Sequence, residues 1–198
     1  MIIFDLDGTL VDLWPRYWSV FKDILNLDIS LSAYKSLKQS LKDDRLLANY
    51  LGCVLPKDYF EKKRIFLESN KYLIKDRLFF EAEVINKFLE NDSFILTKRR
   101  NYKTTISQIN ELGIKGKVIC IDSCSKISWL KDNVDGSKEF IIVGDSYEEL
   151  DVAKLENASA YMVGYGLLKY EDYNKKNLPF EYFDDPFSLQ IALSNIVD

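Results

Sequence analysis

The chain has 198 residues, of which 47% are apolar and 29% are charged, and its formal net charge is −4. This composition predicts a folded globular protein and excludes a disordered chain. The acidic balance excludes a general binder of nucleic acid or of membrane surfaces, since both need a concentrated basic face. The chain contains no histidine, which excludes Ser-His-Asp and Cys-His catalysis and every histidine metal site.

The sequence also predicts the cellular compartment of the protein. Its apolar runs are far shorter than the ~20 residues that span a bilayer, and Asp5 and Asp7 lie where a signal peptide would carry basic residues. The cysteines Cys53, Cys120 and Cys124 are odd in number, which fits a reducing compartment. We therefore expect a cytoplasmic protein.

Short apolar runs alternate with helical patterns along most of the chain. The runs are continuous, rich in β-branched residues and about four residues long, which is typical of strands buried on both faces of a parallel sheet. Strands that alternate with helices predict a Rossmann-like α/β core with flanking helices. The predicted strands cover residues 2–4, 94–96, 118–121, 140–143 and 160–163, and the predicted helices cover residues 79–90, 103–112, 127–133 and 148–157.

Residues 14–75 interrupt this alternation. They contain several helical patterns and no convincing strand, and Pro56 is predicted to begin one of these helices at its first turn. A connection of this length is not an ordinary crossover between neighbouring strands. We therefore predict an α/β core domain of residues 1–13 and 76–198, and an inserted small helical domain of residues 14–75.

Polar residues follow four of the predicted strands. Asp5 and Asp7 follow the first strand, and Thr97, Asp122 and Asp145 follow three later ones. Each of these residues alone is often no more than a polar end to a strand. Together they are expected at one edge of the sheet, because ligands of open α/β sheets bind outside the carboxyl ends of the strands. Several acids at one edge indicate a Mg²⁺ site, since this hard cation takes oxygen ligands.

The motifs at these positions resemble those of the haloacid dehalogenase superfamily, whose members are mostly Mg²⁺-dependent phosphatases. DLDGT at residues 5–9 resembles the first motif of that family, and Thr97 in FILT resembles the second. Lys126 in SCSKISWL resembles the third motif, and GDSYEE at residues 144–149 resembles the fourth. The resemblance covers the whole chain and implies that the helical insertion is a cap domain of the C1 type.

The resemblance implies a role for each acidic residue. Asp5 is expected to be the nucleophile that forms an aspartyl-phosphate. Asp7 is expected to be the general acid and then the general base. Asp5, the backbone carbonyl of Asp7 and Asp145 are the expected Mg²⁺ ligands. The two neighbouring aspartates would then tolerate each other because Mg²⁺ neutralises one of them and a proton resides on the other.

The resemblance also implies a phosphate-binding set. Thr97 and Lys126 are expected to hold the phosphoryl oxygens, and we include Lys98 in this set. Glu149 is expected to support the metal through water or to orient Lys126, and Glu148 is the alternative for that role.

Two features differ from the common family pattern. Ile127 stands where a proline often follows the third-motif lysine, which leaves Lys131 as a substitute for Lys126. Basic residues at positions 98–100, Lys-Arg-Arg, follow Thr97. They are either the solvated start of a helix or a second anion site for a carboxylate or further phosphate of the substrate.

The sequence therefore predicts a phosphatase that acts on a small phosphorylated metabolite, with no nucleic-acid or membrane partner. A phosphomutase of the same superfamily is the first alternative, because it would return the phosphoryl group to a substrate instead of to water. A catalytically inactive relative that binds a phosphorylated ligand or a partner protein is the second.

Overall fold

A computed structural model describes residues 1–197 of the chain. The chain divides into two compact units. The first unit contains Met1–Asp12 and the segment that begins at Arg77, and the second unit contains Leu13–Asp76.

The first unit is built on a parallel sheet. Among residues 1–197, six strands form this sheet in the spatial order β5-β4-β1-β6-β7-β8, and β2 pairs with β3 in a separate antiparallel ribbon. The strands are β1 (Ile2–Phe4), β2 (Val11–Asp12), β3 (Arg77–Leu78), β4 (Phe94–Thr97), β5 (Lys117–Cys120), β6 (Phe140–Gly144), β7 (Ala158–Val163) and β8 (Glu181–Phe183). The prediction of an α/β core with a parallel sheet is confirmed.

The sheet is buried on both faces, as its continuous apolar strands predict. Phe4 and Val143 belong to one buried cluster, whereas Ile3 and Ile142 belong to another. Successive side chains of a strand point to opposite faces, so these two clusters occupy the two sides of the sheet. All four side chains are almost completely shielded from solvent.

The second unit is helical. Its helices are α1 (Trp14–Leu25), α2 (Leu31–Leu41), α3 (Asp44–Tyr50), α4 (Tyr59–Leu67) and α5 (Asn70–Leu73). The prediction that Pro56 begins a helix is wrong. Helix α4 begins three residues later, and the carbonyl of Pro56 accepts a hydrogen bond from the Tyr59 N–H (3.0 Å) in the turn before it.

The remaining helices belong to the first unit. They are α6 (Ala82–Phe88), α7 (Tyr102–Glu111), α8 (Lys126–Asn133), α9 (Tyr147–Leu150), α10 (Tyr170–Asn174) and α11 (Pro186–Val197). Within residues 1–197, no helix combines the length and the apolar character that crossing a bilayer would require.

The single helix predicted over residues 148–157 is wrong. The structure has the short helix α9 and then a 3₁₀ turn at Asp151–Lys154. The carbonyl of Asn157 already accepts a hydrogen bond from the Phe140 N–H (3.0 Å), at the start of β6. Pairing with the sheet therefore draws the chain out of the helical conformation before Asn157.

Strand β8 and helices α10 and α11 were not predicted. β8 has three residues, which is too short for a periodic pattern to identify it.

Candidate active site

The first motif forms a tight loop at the carboxyl end of β1. The backbone N–H of Asp5 donates to the carbonyl of Val143 (2.8 Å), which continues the pairing of β1 with β6 for one more residue. The chain then turns at Gly8, whose φ of 88° is strained for any residue with a Cβ. The N–H of Gly8 donates to the carbonyl of Val11 (2.8 Å) and closes the turn. This loop fixes the buried side chain of Asp5 at the sheet edge.

Lys126 brings two carboxylates together. It is the first residue of α8, behind the capping residue Ser125, and its side chain is buried. The Nζ atom forms ion pairs with Asp5 Oδ1 and with Glu149 Oε1 (2.5 Å to Glu149). Burial lowers the pKa of Lys126, but the charges of Asp5 and Glu149 outweigh burial and raise it above its usual value. The two carboxylates therefore favour the charged form of Lys126.

Glu149 forms an ion pair with this lysine. It lies in α9, where its Oε2 accepts hydrogen bonds from Ser146 N (3.0 Å) and from Ser146 Oγ (2.6 Å). Gly144 makes room for it, because a Cβ at that position would collide with the Glu149 side chain. Glu148, the alternative residue, contacts Lys126 differently: its Oε2 accepts the backbone N–H of Lys126 (3.0 Å). In the structure, Glu149 therefore holds the ammonium group and Glu148 holds the helix start.

Asp145 completes what we call the carboxyl–lysine cluster, which consists of Asp5, Lys126, Asp145 and Glu149. Asp145 is 2% exposed, and its Oδ2 accepts the N–H of Leu167 (2.7 Å). This N–H comes from the turn after β7 that contains Gly164 and Gly166.

The cluster has more negative than positive charge. Burial raises the pKa of Asp145 well above its usual range, and the charges of Asp5 and Glu149 raise it further. Burial likewise raises the pKa of Asp5 to about 7, although Lys126 opposes this and Glu149 reinforces it. Three acidic side chains thus lie near one ammonium group, and the excess of negative charge disfavours the ionised forms of Asp5 and Asp145.

The chemistry of this cluster fits a hard divalent cation. Its donors are carboxylate oxygens, and a cation would supply the positive charge that the cluster lacks. Among residues 1–197, no group of three or more His, Cys, Asp or Glu side chains is arranged so that these side chains alone could hold a metal ion. Carboxylates are ligands of the kind that Mg²⁺ binds together with several waters.

Asp7 lies outside the cluster and has its own cationic partner. Arg99 Nε donates to Asp7 Oδ2 (2.8 Å), and Arg99 Nη2 donates to Asp7 Oδ1 (2.6 Å). Arg99 is buried, and its Nη1 donates to Gln108 Oε1. The hypothesis that residues 98–100 are the solvated start of a helix is therefore wrong for Arg99. Helix α7 begins later, at Tyr102.

Each of the two first-motif aspartates has a cationic side chain as partner, and the expected roles of Mg²⁺ and of a bound proton stay predictions. We expected Mg²⁺ to neutralise one of them and a proton to reside on the other. In the structure Lys126 pairs with Asp5 and Arg99 pairs with Asp7. The only local signal for Arg99 is the basic triplet at residues 98–100, because its partner Asp7 is 92 residues away in the chain.

The other predicted site residues differ in burial and lie outside the carboxyl–lysine cluster. Thr97 is buried at the end of β4, and its Oγ1 accepts the N–H of Arg99 (3.4 Å). Lys98 is exposed, and its Nζ donates to the carbonyl of Cys124 (2.7 Å). Asp122 is exposed beyond the end of β5, so it does not join the cluster. The phosphate-binding roles of Thr97 and Lys98 stay predictions.

Comparison with known proteins identifies the fold of this chain through solved structures alone. No protein-family model matches the chain, and no curated protein matches it. Solved structures do match: a haloacid dehalogenase-like protein of unknown function from Agrobacterium tumefaciens has 12% identity and a TM-score of 0.70, over 100% of this chain and 98% of that one. A predicted phosphatase from Clostridium acetobutylicum has 15% identity and a TM-score of 0.66, over 98% and 97%.

A further match extends the comparison. A haloacid dehalogenase family hydrolase from Deinococcus radiodurans, solved with bound phosphate and sodium, has 13% identity and a TM-score of 0.62, over 98% of this chain and 94% of that one. The matches span nearly the whole length of each protein. The chain therefore has the fold of the haloacid dehalogenase superfamily.

Proposed function

We propose that the protein is a Mg²⁺-dependent phosphatase that hydrolyses a small phosphorylated metabolite through an aspartyl-phosphate on Asp5. The observation that carries this proposal is the carboxyl–lysine cluster, in which a buried carboxylate at a strand end is held by a buried lysine. The fold supports it, since similar structures include a predicted phosphatase and a hydrolase with bound phosphate. The cap role of the helical unit stays a prediction.

Two steps divide the chemistry between Asp5 and Asp7. In the first step an Asp5 oxygen forms a bond to phosphorus, the bond from phosphorus to the leaving oxygen breaks, and that oxygen takes a proton from Asp7. In the second step water attacks phosphorus and gives its proton to Asp7, and the bond from Asp5 to phosphorus breaks. The products are the alcohol and inorganic phosphate, and both aspartates return to their starting states.

Lys126 and Thr97 are proposed to hold the phosphoryl group. The ammonium of Lys126 contacts Asp5, so it is close to the atom that would attack phosphorus. A cation and a hydroxyl group at this position would stabilise the charge on the transferring oxygens. Glu149 keeps Lys126 in place through its ion pair (2.5 Å).

The proposed Mg²⁺ ligands are Asp5, Asp145 and the backbone carbonyl of Asp7. When bound there, the cation would supply the positive charge that lets an anionic nucleophile and an anionic phosphate approach each other.

The first experiment measures phosphate release from p-nitrophenyl phosphate and a panel of metabolite phosphates, with Mg²⁺ and then with EDTA. We expect release that requires Mg²⁺ and that falls at least a thousandfold in Asp5→Asn, because the nucleophile is lost. Asp122→Asn is the matched control, since it makes the same change at an exposed aspartate that also follows a strand of this sheet. We expect it to retain the activity of the wild type.

Other outcomes would contradict the proposal. A folded wild type that binds phosphate but releases none from any substrate would favour the inactive binding protein. Phosphoryl return to a hexose monophosphate, in the presence of its bisphosphate, would favour the mutase.

A further inference from the structure

Arg99 makes contacts that the proposed mechanism has not used. It follows β4 in a short loop and is 5% exposed, although both flanking basic residues are exposed. Its guanidinium group donates to both carboxylate oxygens of Asp7. It also donates to Gln108, a buried residue of α7. Arg99 thus connects the first-motif loop, the end of β4 and a flanking helix.

The geometry of this contact restrains Asp7 strongly. Two parallel N–H···O bonds from a planar guanidinium fix both the position and the plane of a carboxylate. Gln108 in turn fixes the guanidinium from its other side. Separating Asp7 from Arg99 would leave a buried guanidinium without its carboxylate and would strongly destabilise the fold. The ion pair is therefore expected to stay formed. Asp7 itself is partly exposed, with 22% of its side chain accessible.

The contact also leaves Asp7 chemically competent. Each carboxylate oxygen has a further lone-pair position beyond the one that faces Arg99. Arginine stays protonated in proteins, so it does not compete as a proton donor or acceptor. Arg99 can therefore hold Asp7 in place while Asp7 exchanges a proton with a leaving oxygen or a water.

We propose that Arg99 is a positioning residue, which holds the Asp7 carboxylate in the orientation from which it serves as acid and base. This inference rests on the proposed phosphatase function, and it deepens that function by adding a residue that acts through Asp7. The inference also decides against the hypothesis that Arg99 is a second anion site for the substrate, because both carboxylate oxygens of Asp7 already occupy its guanidinium group.

The test compares two substrates whose leaving groups differ. Phenyl phosphate needs a proton on its leaving oxygen, whereas the p-nitrophenolate of p-nitrophenyl phosphate leaves readily without one. We expect Arg99→Gln to lower kcat/KM for phenyl phosphate about ten times more than for p-nitrophenyl phosphate, as loss of general acid catalysis predicts. Arg99→Lys should lie between the wild type and Arg99→Gln, because lysine keeps the charge without the bidentate geometry.

Further variants separate positioning from folding. Gln108→Leu keeps Arg99 but loosens it, so it should show the same dependence on the leaving group with a smaller loss. In the Asp7→Asn background, Arg99→Gln should lower kcat/KM by less than about threefold, because residues that act through one another are not additive. Arg100→Gln removes the same charge from the adjacent exposed residue and should change both substrates by the same factor. Circular dichroism and thermal unfolding verify that each variant is folded.

Each result is decisive. Equal losses for both substrates in Arg99→Gln, Arg99→Lys and Gln108→Leu, or additive losses in the double variant, would overturn the positioning role while leaving the phosphatase proposal intact. A wild type without Mg²⁺-dependent release from either substrate would overturn the proposed function and this inference with it.

Discussion

Each unit buries an aspartate that is paired with lysine, but the balance of charge around that aspartate differs between the two units. In the core unit, Asp5, Asp145 and Glu149 share Lys126. In the helical unit, Asp44 has two lysines and a tyrosine as partners. It contacts Lys38 Nζ (2.6 Å), Lys63 Nζ (2.5 Å) and the hydroxyl of Tyr59 (2.9 Å).

The pKa values of the two aspartates follow this balance. Burial raises the pKa of Asp5, and the neighbouring acids help to keep it at about 7 despite Lys126. Burial also acts to raise the pKa of Asp44, but Lys63 and Lys38 outweigh it and lower the pKa below the usual 3.8. Similar burial therefore has opposite results, because the local charges differ in sign. A cluster in which cations outnumber acids stabilises the fold without any ligand. A cluster in which acids outnumber cations is stabilised when a cation binds to it.

The largest expected effect comes from removal of the shared lysine. Lys126→Met would leave Asp5 and Glu149 buried without their cation. Breaking a buried ion pair in this way costs about 3–5 kcal/mol, so we expect the free energy of unfolding to fall by that order. Urea unfolding measures it, with Lys131→Met as the control, since Lys131 is an exposed residue of the same helix. A variant as stable as the control would show that the acids of the cluster are not charged in the folded protein.

In the helical unit the corresponding experiment removes the acid instead of the lysine. Asp44→Asn would remove the carboxylate that two lysines share, and a hydrogen bond to a charged group contributes about 1.5–3 kcal/mol. We expect a loss of that order at neutral pH. Asp58→Asn is the control, because Asp58 is the exposed residue before α4, pairs with Lys62 and makes no side-chain hydrogen bond that caps the helix.

The pH dependence of this loss has a definite sign. The folded-state pKa of Asp44 lies below the usual 3.8, so the carboxylate stabilises the fold at pH values above that usual value. The contribution disappears as the pH falls through the folded-state pKa. Thermal unfolding should therefore show a wide gap between wild type and Asp44→Asn at pH 7 and a narrow one under strongly acidic conditions. A gap that stays constant with pH would mean that the hydrogen-bond geometry, and not the charge, sets the stability.

Much of the core could be predicted because its signals are local. A strand buried on both faces leaves an uninterrupted apolar run, so β1, β4 and β6 are visible in the sequence, as are the polar residues that follow them. The order of these strands places Asp5 and Asp145 directly after the ends of two neighbouring strands, β1 and β6, which pair in parallel. Their approach is a consequence of topology.

Other parts of the site depend on contacts that no local pattern contains. Arg99 and Asp7 are far apart in sequence, and nothing at position 99 distinguishes a buried guanidinium from its exposed neighbours. The bond from the Leu167 N–H to Asp145 is donated by the backbone of a turn, where a Cβ at Gly166 would collide with Asp145, and no local pattern links this turn to position 145. The choice between Glu148 and Glu149 likewise depends on which face of α9, a short helix, turns toward Lys126.

The smallest expected effect is a small increase in the free energy of unfolding, without metal, in Asp145→Asn. Asparagine is nearly the same size and can still accept the Leu167 N–H, but it removes a buried carboxyl group whose pKa is raised by burial and by the charges of Asp5 and Glu149. Without metal, a gain of about 1 kcal/mol would raise Tm by about 2–4 °C in a protein of this size. Asp122→Asn should leave Tm within the range of an ordinary surface change.

The same variant tests what the excess charge is for. Mg²⁺ that binds only the folded wild type should raise its Tm with concentration, and this rise should be absent in Asp145→Asn, together with phosphate release. A variant that is less stable than the wild type without metal would show that Asp145 has a structural role like that of Asp44. A variant that keeps the full rise with Mg²⁺ would place the cation elsewhere. The expected combination, higher stability without metal and no response to it, would mean that the core unit gives up stability to keep a site for a cation.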